Sequence, residues 1–413
     1  MTALRGSHGW IAGGALLALL PWIPGLHSDS VRSLLSQMGI AAVLALSYQL
    51  LLGQTGLLSF GHAVFFGLGG YGAIHLLRWV NGGMPIPVPL VPLAGAVAGL
   101  FFGIVFGAVT TRRAGTVFAL ITLGVGELVH AASLMFPSFF GGEEGVTASR
   151  TKTPHLLGLD FGSQVQVYYV IVLWLVLAAL AMHHFLRTPV GRLCNAVRDN
   201  PERVEFIGYN PQRIRFIAVA FSGAIAGLAG GLHAINYEIV ASESLSAARS
   251  GAVLLMVYVG AVSHPLGAIV GAVAITWLQV SLSDYTNAWM LYLGLLFMGI
   301  VLVAPQGLVG VAVVHLQAKR ANALGAIARA YAQVALPAVA AALGAVALIE
   351  IAYRRSTQPE AGAVLRLFGM SLDTSTPWPW LGAIAMAAIG GSLARLAWRR
   401  VDAAWADAGV ARG

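Results

Sequence analysis

Polar and aromatic residues follow one another in a glycine-rich stretch, residues 53–72, which reads GQTGLLSFGHAVFFGLGGYG. Ser59, His62 and Tyr71 are polar members of this stretch that stand among apolar neighbours. Glycine-rich backbone that leaves the helix inside a membrane offers free N–H and C=O groups, which bind zwitterionic or amide solutes. Three aromatic residues would wall an apolar side chain there: Phe60, Phe65 and Phe66. The stretch predicts part of a solute path, although a single His62 also fits a plain hydrogen bond between two helices.

A carboxylate lies inside the apolar segment 115–137, at Glu127. An intramembrane carboxylate is costly, so it indicates a functional site by default. His130 follows three residues later and shares its helix face, whereas Thr122 does not share that face closely. Two interpretations stay open: Glu127 belongs to the solute path, or it forms a structural hydrogen bond with His130.

Catalytic and metal-binding motifs are absent from the sequence. The two lysines, Lys152 and Lys319, follow a threonine and an alanine, so there is no phosphate loop of the form G-x-x-x-x-G-K-[ST]. The histidines are scattered and form no metal set with the single cysteine, Cys194. Cys194 has no partner for an intrachain disulfide, and we expect it to be an inert small residue. We therefore expect no catalytic residue, no metal and no cofactor bound by this chain.

The composition is that of an integral membrane protein. Of the 413 residues, 58% are hydrophobic and 10% are charged, whereas soluble domains are about 25% charged. The net charge of +8 is almost all arginine, and in a membrane protein such an excess reports orientation. We predict an all-α, polytopic helical bundle of about 8–10 spans, with one broken or re-entrant helix pair.

Apolar segments long enough to span a membrane fit at 9–25, 34–52, 60–80, 89–111, 115–137, 166–186 and 215–236. The first follows Arg5 without a convincing cleavage site, so we predict a retained span. The arginines at 112–113 and in 187–215 should face the cytoplasm, and two spans separate them, as this requires. The N-terminus is then cytoplasmic and the loop 138–165 lies outside.

The apolar stretch 251–280 is predicted to break at Ser263, His264 and Pro265, because a residue before proline resists the helix. As two short helices, either a re-entrant hairpin or two short spans, it returns Lys319 to the cytoplasm after the further apolar stretch 284–304. Two more apolar runs follow, 332–353 and 379–399, and Arg395, Arg399 and Arg400 predict a cytoplasmic C-terminus, although Arg354, Arg355 and Arg366 would then lie outside, against the rule. We predict a transmembrane domain over 1–315 and an extension over 316–413 with two membrane helices.

The polar segment 187–215, here named the elbow, reads RTPVGRLCNAVRDNPERVEFIGYNPQRIR and lies between two spans. Thr188, Asn200 and Asn210 each precede a proline, which pairs a capping side chain with a residue suited to the first helical position. We predict short helices over 189–199 and 201–207, a stop at Gly208, and the next span from 211. A rigid, basic, helical elbow on the cytoplasmic side is expected to dock a soluble partner.

Many of the 50 glycines are spaced for contact between helices. They predict either a moving interface or ordinary membrane-helix packing. The clearest examples are Gly67, Gly70 and Gly72 in one span, and Gly223, Gly227, Gly230 and Gly231 in another.

Four blocks of the sequence together resemble a known family. They are GQTGLLSFGHAVFFGLGGY (53–71), RRAGTVFALITLGVGE (112–127), TPVGRLCNAVRDNPERVEFIGYNP (188–211), and VLLMVYVGA with APQGLVG (253–261 and 304–310). In order and spacing they extend over residues 30–315, and the chain resembles the LivM-type permease subunits of the branched-chain amino acid ABC importers.

The resemblance implies that the elbow is the segment that couples to a cytoplasmic ATPase. The implied docking residues are Gly191, Arg192, Arg198, Asn200, Pro201 and Gly208. It also implies the partners: a second related permease, two ATPase subunits that use the ATP, and a periplasmic solute-binding protein, with no nucleic acid. The expected location is the bacterial inner membrane.

Some positions depart from the family pattern and leave the solute open. Ala261 follows Gly260 where the family often has two glycines, Ala252 stands where an acid is usual, and 141–145 reads GGEEG instead of GG-x-[DN]-G. Branched-chain or similar amino acids lead, and urea, short amides or small carboxylates fit the same architecture.

Two other functional classes fit the sequence less well. A self-contained channel or ion-coupled transporter would need charged residues at mid-membrane, where only Glu127 qualifies. A membrane enzyme would need a polar cluster that the sequence does not contain.

Overall fold

The computed structural model describes residues 13–14, 17, 19–22, 28–152, 161–320, 323–357, 364–367 and 369–407. The helices in these ranges are α1 (Asp29–Gln49), α2 (Ala63–Asn81), α3 (Val91–Thr110), α4 (Gly115–Met135), α5 (Pro137–Phe140), α6 (Gln164–Arg187), α7 (Pro189–Asp199), α8 (Pro201–Phe206), α9 (Pro211–Tyr237), α10 (Ala247–Gly260), α11 (Pro265–Tyr285), α12 (Trp289–Val303), α13 (Gly307–Arg320), α14 (Leu324–Thr357) and α15 (Pro377–Asp407). The strands are β1 (Val146–Thr147), β2 (Ile239–Val240), β3 (Val364–Leu367) and β4 (Met370–Asp373).

Nine helical stretches within the described ranges are long and apolar enough to cross a membrane. They include all six predicted spans from 34–52 to 215–236, so the all-α polytopic architecture is confirmed. The other three are α11, α14 and α15. The predicted first span, 9–25, lies largely outside the described residues.

The glycine-rich stretch interrupts the helical backbone between α1 and α2. A single π-helical turn, Leu50–Gln54, extends α1, and regular helix resumes at Ala63. Gly56 has φ +68°, a conformation that only glycine adopts readily. Thr55 helps to end the turn, because its hydroxyl donates hydrogen bonds to the carbonyl oxygens of Leu50 and Leu51. The third predicted span, 60–80, therefore begins at 63 instead of 60.

Glycines bring α9 into backbone contact with two neighbouring helices. On one side, a Cβ atom at Gly227 would lie 2.7 Å from the Cα atom of Gly99 in α3, so no larger residue fits. On the other side, Gly230 lies against the backbone of Phe66 and Gly70 in α2. The predicted glycine contacts of α9 are therefore confirmed. Gly72 packs instead against α3, and Gly67 against the 3₁₀ turn Ser242–Leu245.

The interruption predicted at Ser263, His264 and Pro265 is confirmed. α10 ends at Gly260, Ala261 has φ +149°, and α11 begins at Pro265. The second helix of the pair is not short, because it continues through Ser281 to Tyr285 and is long enough to span. A second interruption separates α12 from α13, whose axes differ by 42°. Gly307, at the start of α13, packs against the backbone of Ala261.

The loop after α5 is held to the end of α9. β1 and β2 pair antiparallel, with Val146 opposite Val240. The buried guanidinium of Arg150 donates hydrogen bonds to the carbonyl oxygens of Ile235 (3.1 Å) and Asn236 (3.0 Å). A cation at the carboxyl end of a helix also interacts favourably with the helix dipole.

The chain divides into two compact units, residues 1–282 with 296–309, and residues 283–295 with 310–413. In the second unit, α14 and α15 pack closely where Gly344 lies against the backbone of Ala387. In the same unit, the carboxylate of Glu350 in α14 accepts hydrogen bonds from the hydroxyls of Thr286 (2.7 Å) and Tyr292 (2.9 Å). The predicted domain boundary at 315–316 falls within α13.

Candidate functional site

The segment 50–62, here named the break, consists of the π-helical turn and the irregular residues after it, and it is tied to α1 by buried polar groups. The Nε2 atom of His62 lies 2.8 Å from the Oγ atom of Ser47, and the hydroxyl of Tyr48 donates to the carbonyl oxygen of Ser59 at 2.9 Å. His62 and Ser59 are both buried. His62 therefore makes a hydrogen bond between α1 and the break, and its ring also meets the ring of Phe65 edge-on.

A narrow crevice lies beside the break, between it and the helices α2, α3, α4 and α9. Ser59 and Phe65 line one wall of the crevice, and Thr122 lines another. The backbone N–H of Phe60 donates to the Oγ1 atom of Thr122 at 3.2 Å. The structure thus brings three of the predicted path residues together around Thr122. Sequence analysis gave Thr122 no role, although a polar residue within an apolar span was a usable signal.

The remaining aromatic residues of the stretch lie elsewhere on α2. Phe66 faces away from the crevice, with its ring centre 5.3 Å from that of His233 in α9. Tyr71 is buried and meets the ring of Phe140 edge-on at 4.8 Å. Consecutive helical residues point about 100° apart, and of these two phenylalanines only Phe65 lines the crevice.

Glu127 lies on the exposed face of α4. The Nδ1 atom of His130 is 3.1 Å from the carbonyl oxygen of Ser242, and no hydrogen bond joins His130 to Glu127 in the described part of the chain. The structural interpretation of Glu127 is therefore wrong. The reason is tertiary, because the 3₁₀ turn Ser242–Leu245 packs beside α4 and engages the histidine.

The caps predicted for the elbow are confirmed. The side chain of Thr188 accepts from the N–H of Gly191, that of Asn200 from Arg203, and that of Asn210 from Gln212 and Arg213. α7 and α8 occupy the predicted ranges to within one residue. Gly208 has φ +87°, as a stop after α8 requires.

One face of α7 is buried against the rest of the first unit, through Gly191, Cys194 and Val197. Gly191 lies against the backbone of Phe185 and Leu186 in α6. Burial raises the pKa of the Cys194 thiol to about 12. Gly191 therefore seats α7 on its neighbour, and Asn200 caps α8, so the structure gives both residues a task within the fold.

Arg198 joins the elbow to the break. Its guanidinium donates a hydrogen bond to the carbonyl oxygen of Gly53, and its Nε atom pairs with Asp199 at 3.0 Å. Gly56 admits the aliphatic part of this side chain, because a Cβ atom there would lie 2.9 Å from its Cγ atom. Arg198 is still 37% exposed, whereas Arg192 is exposed and makes no such contact within the described ranges.

The last residue of α1, directly before the break, is in turn connected to the interruption between α10 and α11. The side-chain amide of Gln49 donates to the carbonyl oxygen of Val262 at 2.8 Å. Residue 262 belongs to the linker between α10 and α11. A continuous set of contacts therefore runs from the elbow through Arg198, Gly53 and Gln49 to this linker.

Exposed apolar residues lie at the end of α8 and directly after it. Phe206 is 89% exposed, Ile207 65% and Tyr209 51%. Sequence analysis assigned no role to these residues. The available signal was their apolar character within an otherwise polar segment.

Comparison with known proteins agrees with this architecture. The family model for the permease component of the branched-chain amino acid transport system matches residues 30–305. The high-affinity branched-chain amino acid transport system permease proteins LivM of Salmonella typhimurium and Escherichia coli are each 28% identical over 334 residues, 75% of this chain and 77% of the relative. The guanosine ABC transporter permease protein NupQ of Bacillus subtilis is 28% identical over 186 residues, 43% of this chain and 57% of the relative. No solved structure matches the chain.

The matched region contains the break, the crevice, the elbow and the linker between α10 and α11. It ends before α14 and α15, so the family pattern does not account for these two helices. Because the family model covers well over half of the sequence, the chain belongs to the family of permease components of the branched-chain amino acid transport system.

Proposed function

We propose that this chain and a second related permease form the path by which an ATP-driven ABC importer carries branched-chain or similar amino acids across the bacterial inner membrane. The family match and the two LivM relatives support the transport role and the solute class. Two cytoplasmic ATPase subunits supply the energy, and a periplasmic binding protein delivers the solute. Both termini lie in the cytoplasm in this arrangement.

The observation that carries the coupling role is the hydrogen bond from Arg198 to the carbonyl oxygen of Gly53. A movement of the elbow, driven by closure of the ATPases on ATP, would reach the break directly through this bond. Gln49 would pass it on to the linker at Val262. Coupling requires the solute side and the ATP side to favour different states of one element, and the break is that element in this proposal.

Exposed Phe206, Ile207 and Tyr209 form the ATPase-docking surface in this proposal. Apolar side chains at the tip of a polar segment suit a protein partner, and buried aromatic residues contribute most to such interfaces. Arg192 adds an exposed charge on the same segment. Arg198 has a transmitting role here, because its guanidinium is directed to the break.

The exposed face of α4 is assigned to the second permease. Leu120, Glu127 and Leu128 all lie on this face. A carboxylate facing lipid is costly, so a protein or aqueous surface must cover Glu127. Uptake that is unchanged in Glu127→Gln would remove this residue from the path.

The test is purification of this chain with its candidate second permease and ATPase, followed by uptake in proteoliposomes with a binding protein. Co-purification of the ATPase and ATP-dependent uptake of leucine are expected. Changing Phe206 and Ile207 to serine should release the ATPase, whereas Trp79→Ala, which removes an exposed aromatic at the far end of α2, should not. A folded chain that retains no ATPase in any form would contradict the importer role. Uptake of urea, a short amide or guanosine in place of leucine would contradict the solute class alone.

A further inference from the structure

Arg249 is a cation within the first unit that forms no ion pair with any carboxylate of the described chain. It lies in the first turn of α10, and its guanidinium carbon is 5.2 Å from the centre of the Phe66 ring. Its side chain is half-buried. Across the ranges that the structure describes, its guanidinium takes part in no hydrogen bond and no ion pair. The cation–π contact with Phe66 is therefore its main polar interaction.

The electrostatic surroundings of Arg249 favour an additional anion. The amino end of a helix carries partial positive charge, so a cation in the first turn of α10 is unfavourably placed. The acidic residue that acts on Arg249 is Glu243, which is exposed and forms no ion pair with it. A guanidinium without a counter-ion is costly at membrane depth. An anion that pairs directly with this guanidinium would therefore come from outside the described chain.

The surroundings of this guanidinium are aromatic and open. The ring of His233 lies 5.3 Å from that of Phe66 and 4.5 Å from that of Tyr237. His233 is half-buried and Tyr237 is 41% exposed, so a small molecule has access to the group. Phe66 lies in the first turn of α2, roughly 22 Å along the helix axis from the last residue, Asn81, so the site is next to the segment where the helical backbone is interrupted.

We propose that Arg249 binds the carboxylate of the amino acid during its passage through the permease. The planar guanidinium matches a carboxylate with two parallel hydrogen bonds, a geometry that an ammonium group lacks. Phe66 is itself buried, and the half-buried ring of His233 and the exposed ring of Tyr237 provide the surface for the side chain of the solute. This assignment rests on the proposed transport of amino acids, and it names the group of the solute that the path recognises.

The test uses the complete importer in proteoliposomes, with the binding protein, and compares wild type, Arg249→Lys and Arg249→Gln. Two quantities are measured: uptake of radiolabelled leucine, and ATP hydrolysis stimulated by the binding protein. Arg366→Gln is the matched control, because it removes an exposed arginine of β3 in the second unit. We expect leucine uptake below saturation to fall about 10- to 100-fold in Arg249→Gln, as loss of a charge-assisted hydrogen bond predicts. Arg249→Lys should be intermediate, and stimulated ATP hydrolysis should persist in both.

The outcomes separate this inference from the proposed function. Suppose that wild type transports leucine and that Arg249→Gln transports it at a rate within twofold of wild type. This result overturns the role of Arg249 and leaves the proposed function intact. Loss of the second permease from Arg249→Gln on purification also overturns it, because the counter-ion is then a carboxylate of that subunit. If Arg249→Gln does not fold, the test relies on Arg249→Lys. Leucine uptake by Arg249→Lys at the wild-type rate contradicts a paired guanidinium–carboxylate contact. Wild type that transports no amino acid rejects the function itself.

Discussion

The guanidinium of Arg198 donates a hydrogen bond to the carbonyl oxygen of Gly53, across 145 residues of sequence. Gly53 belongs to a π-helical turn, and the break begins there. Arg198 lies near the end of α7, the longer of the two elbow helices. One charged side chain thus connects the segment expected to meet the ATPase with the irregular backbone beside the crevice.

Replacing Arg198 with alanine should separate ATP hydrolysis from transport. The lost hydrogen bond involves a charged donor, which is worth about 1.5–3 kcal/mol, so we expect leucine uptake to fall about 10-fold or more. The ATPase should still co-purify, because the exposed apolar residues at the end of α8 and after it remain. Arg203→Ala is the control, since this exposed arginine of the same segment forms no side-chain hydrogen bond within the described residues. Unchanged uptake in Arg198→Ala, or loss of the ATPase from it, would refute the transmitting role.

Replacing Gly227 with alanine should destabilise the packing of α3 on α9. The added methyl group would meet the backbone of Gly95 and Gly99, so the helices must move apart. Overpacking of this kind costs about 1–3 kcal/mol, and the thermal unfolding midpoint in detergent should fall. The control is Gly124→Ala, whose added Cβ meets nothing within 4 Å. Equal midpoints for the two variants would mean that the contact adjusts without penalty.

Replacing Arg150 with methionine should loosen the loop that follows α5. Its guanidinium donates to the carbonyl oxygens of Phe161, Ile235 and Asn236, which would lose a charged donor. We expect the free energy of unfolding to fall by about 3 kcal/mol or more, and protease to cut the loop sooner. Arg78→Met is the matched control: its guanidinium donates to one carbonyl oxygen, that of Thr147, at an exposed site, and its loss should cost about 1 kcal/mol. Equal effects would rule out the special role of Arg150.

Cys194 should resist alkylation in the folded protein. Burial raises the pKa of its thiol to about 12, so the reactive thiolate is scarce at pH 7–9, whereas an exposed cysteine has a pKa of about 8.5. We expect N-ethylmaleimide to label it more slowly, on the order of 100-fold, than Glu202→Cys in a Cys194→Ser background. Stability should decline above pH of about 8.5, because the unfolded thiol ionises there while the folded thiol stays protonated. Rapid labelling of the native protein at pH 7 would contradict burial.

Local interactions made much of this protein readable from its sequence. The caps at Thr188, Asn200 and Asn210 join a side chain to a backbone group two or three residues away, so the pattern alone specifies them. The spans follow from composition, because a membrane requires long apolar helices. The interruption between α10 and α11 follows from Pro265, because proline restricts the backbone of the residue directly before it.

Contacts between distant residues were decided only by the tertiary structure. The direction of Arg198 depends on α7 lying beside the break, and the engagement of His130 depends on the turn that contains Ser242. Phe65 and Phe66 are neighbours in the sequence, yet they face a crevice and a guanidinium on different sides of α2. The sequence by itself determined where helices begin, end and are interrupted, because these features depend on neighbouring residues. The packing of α2 between its neighbouring helices determined which partner each of its side chains contacts.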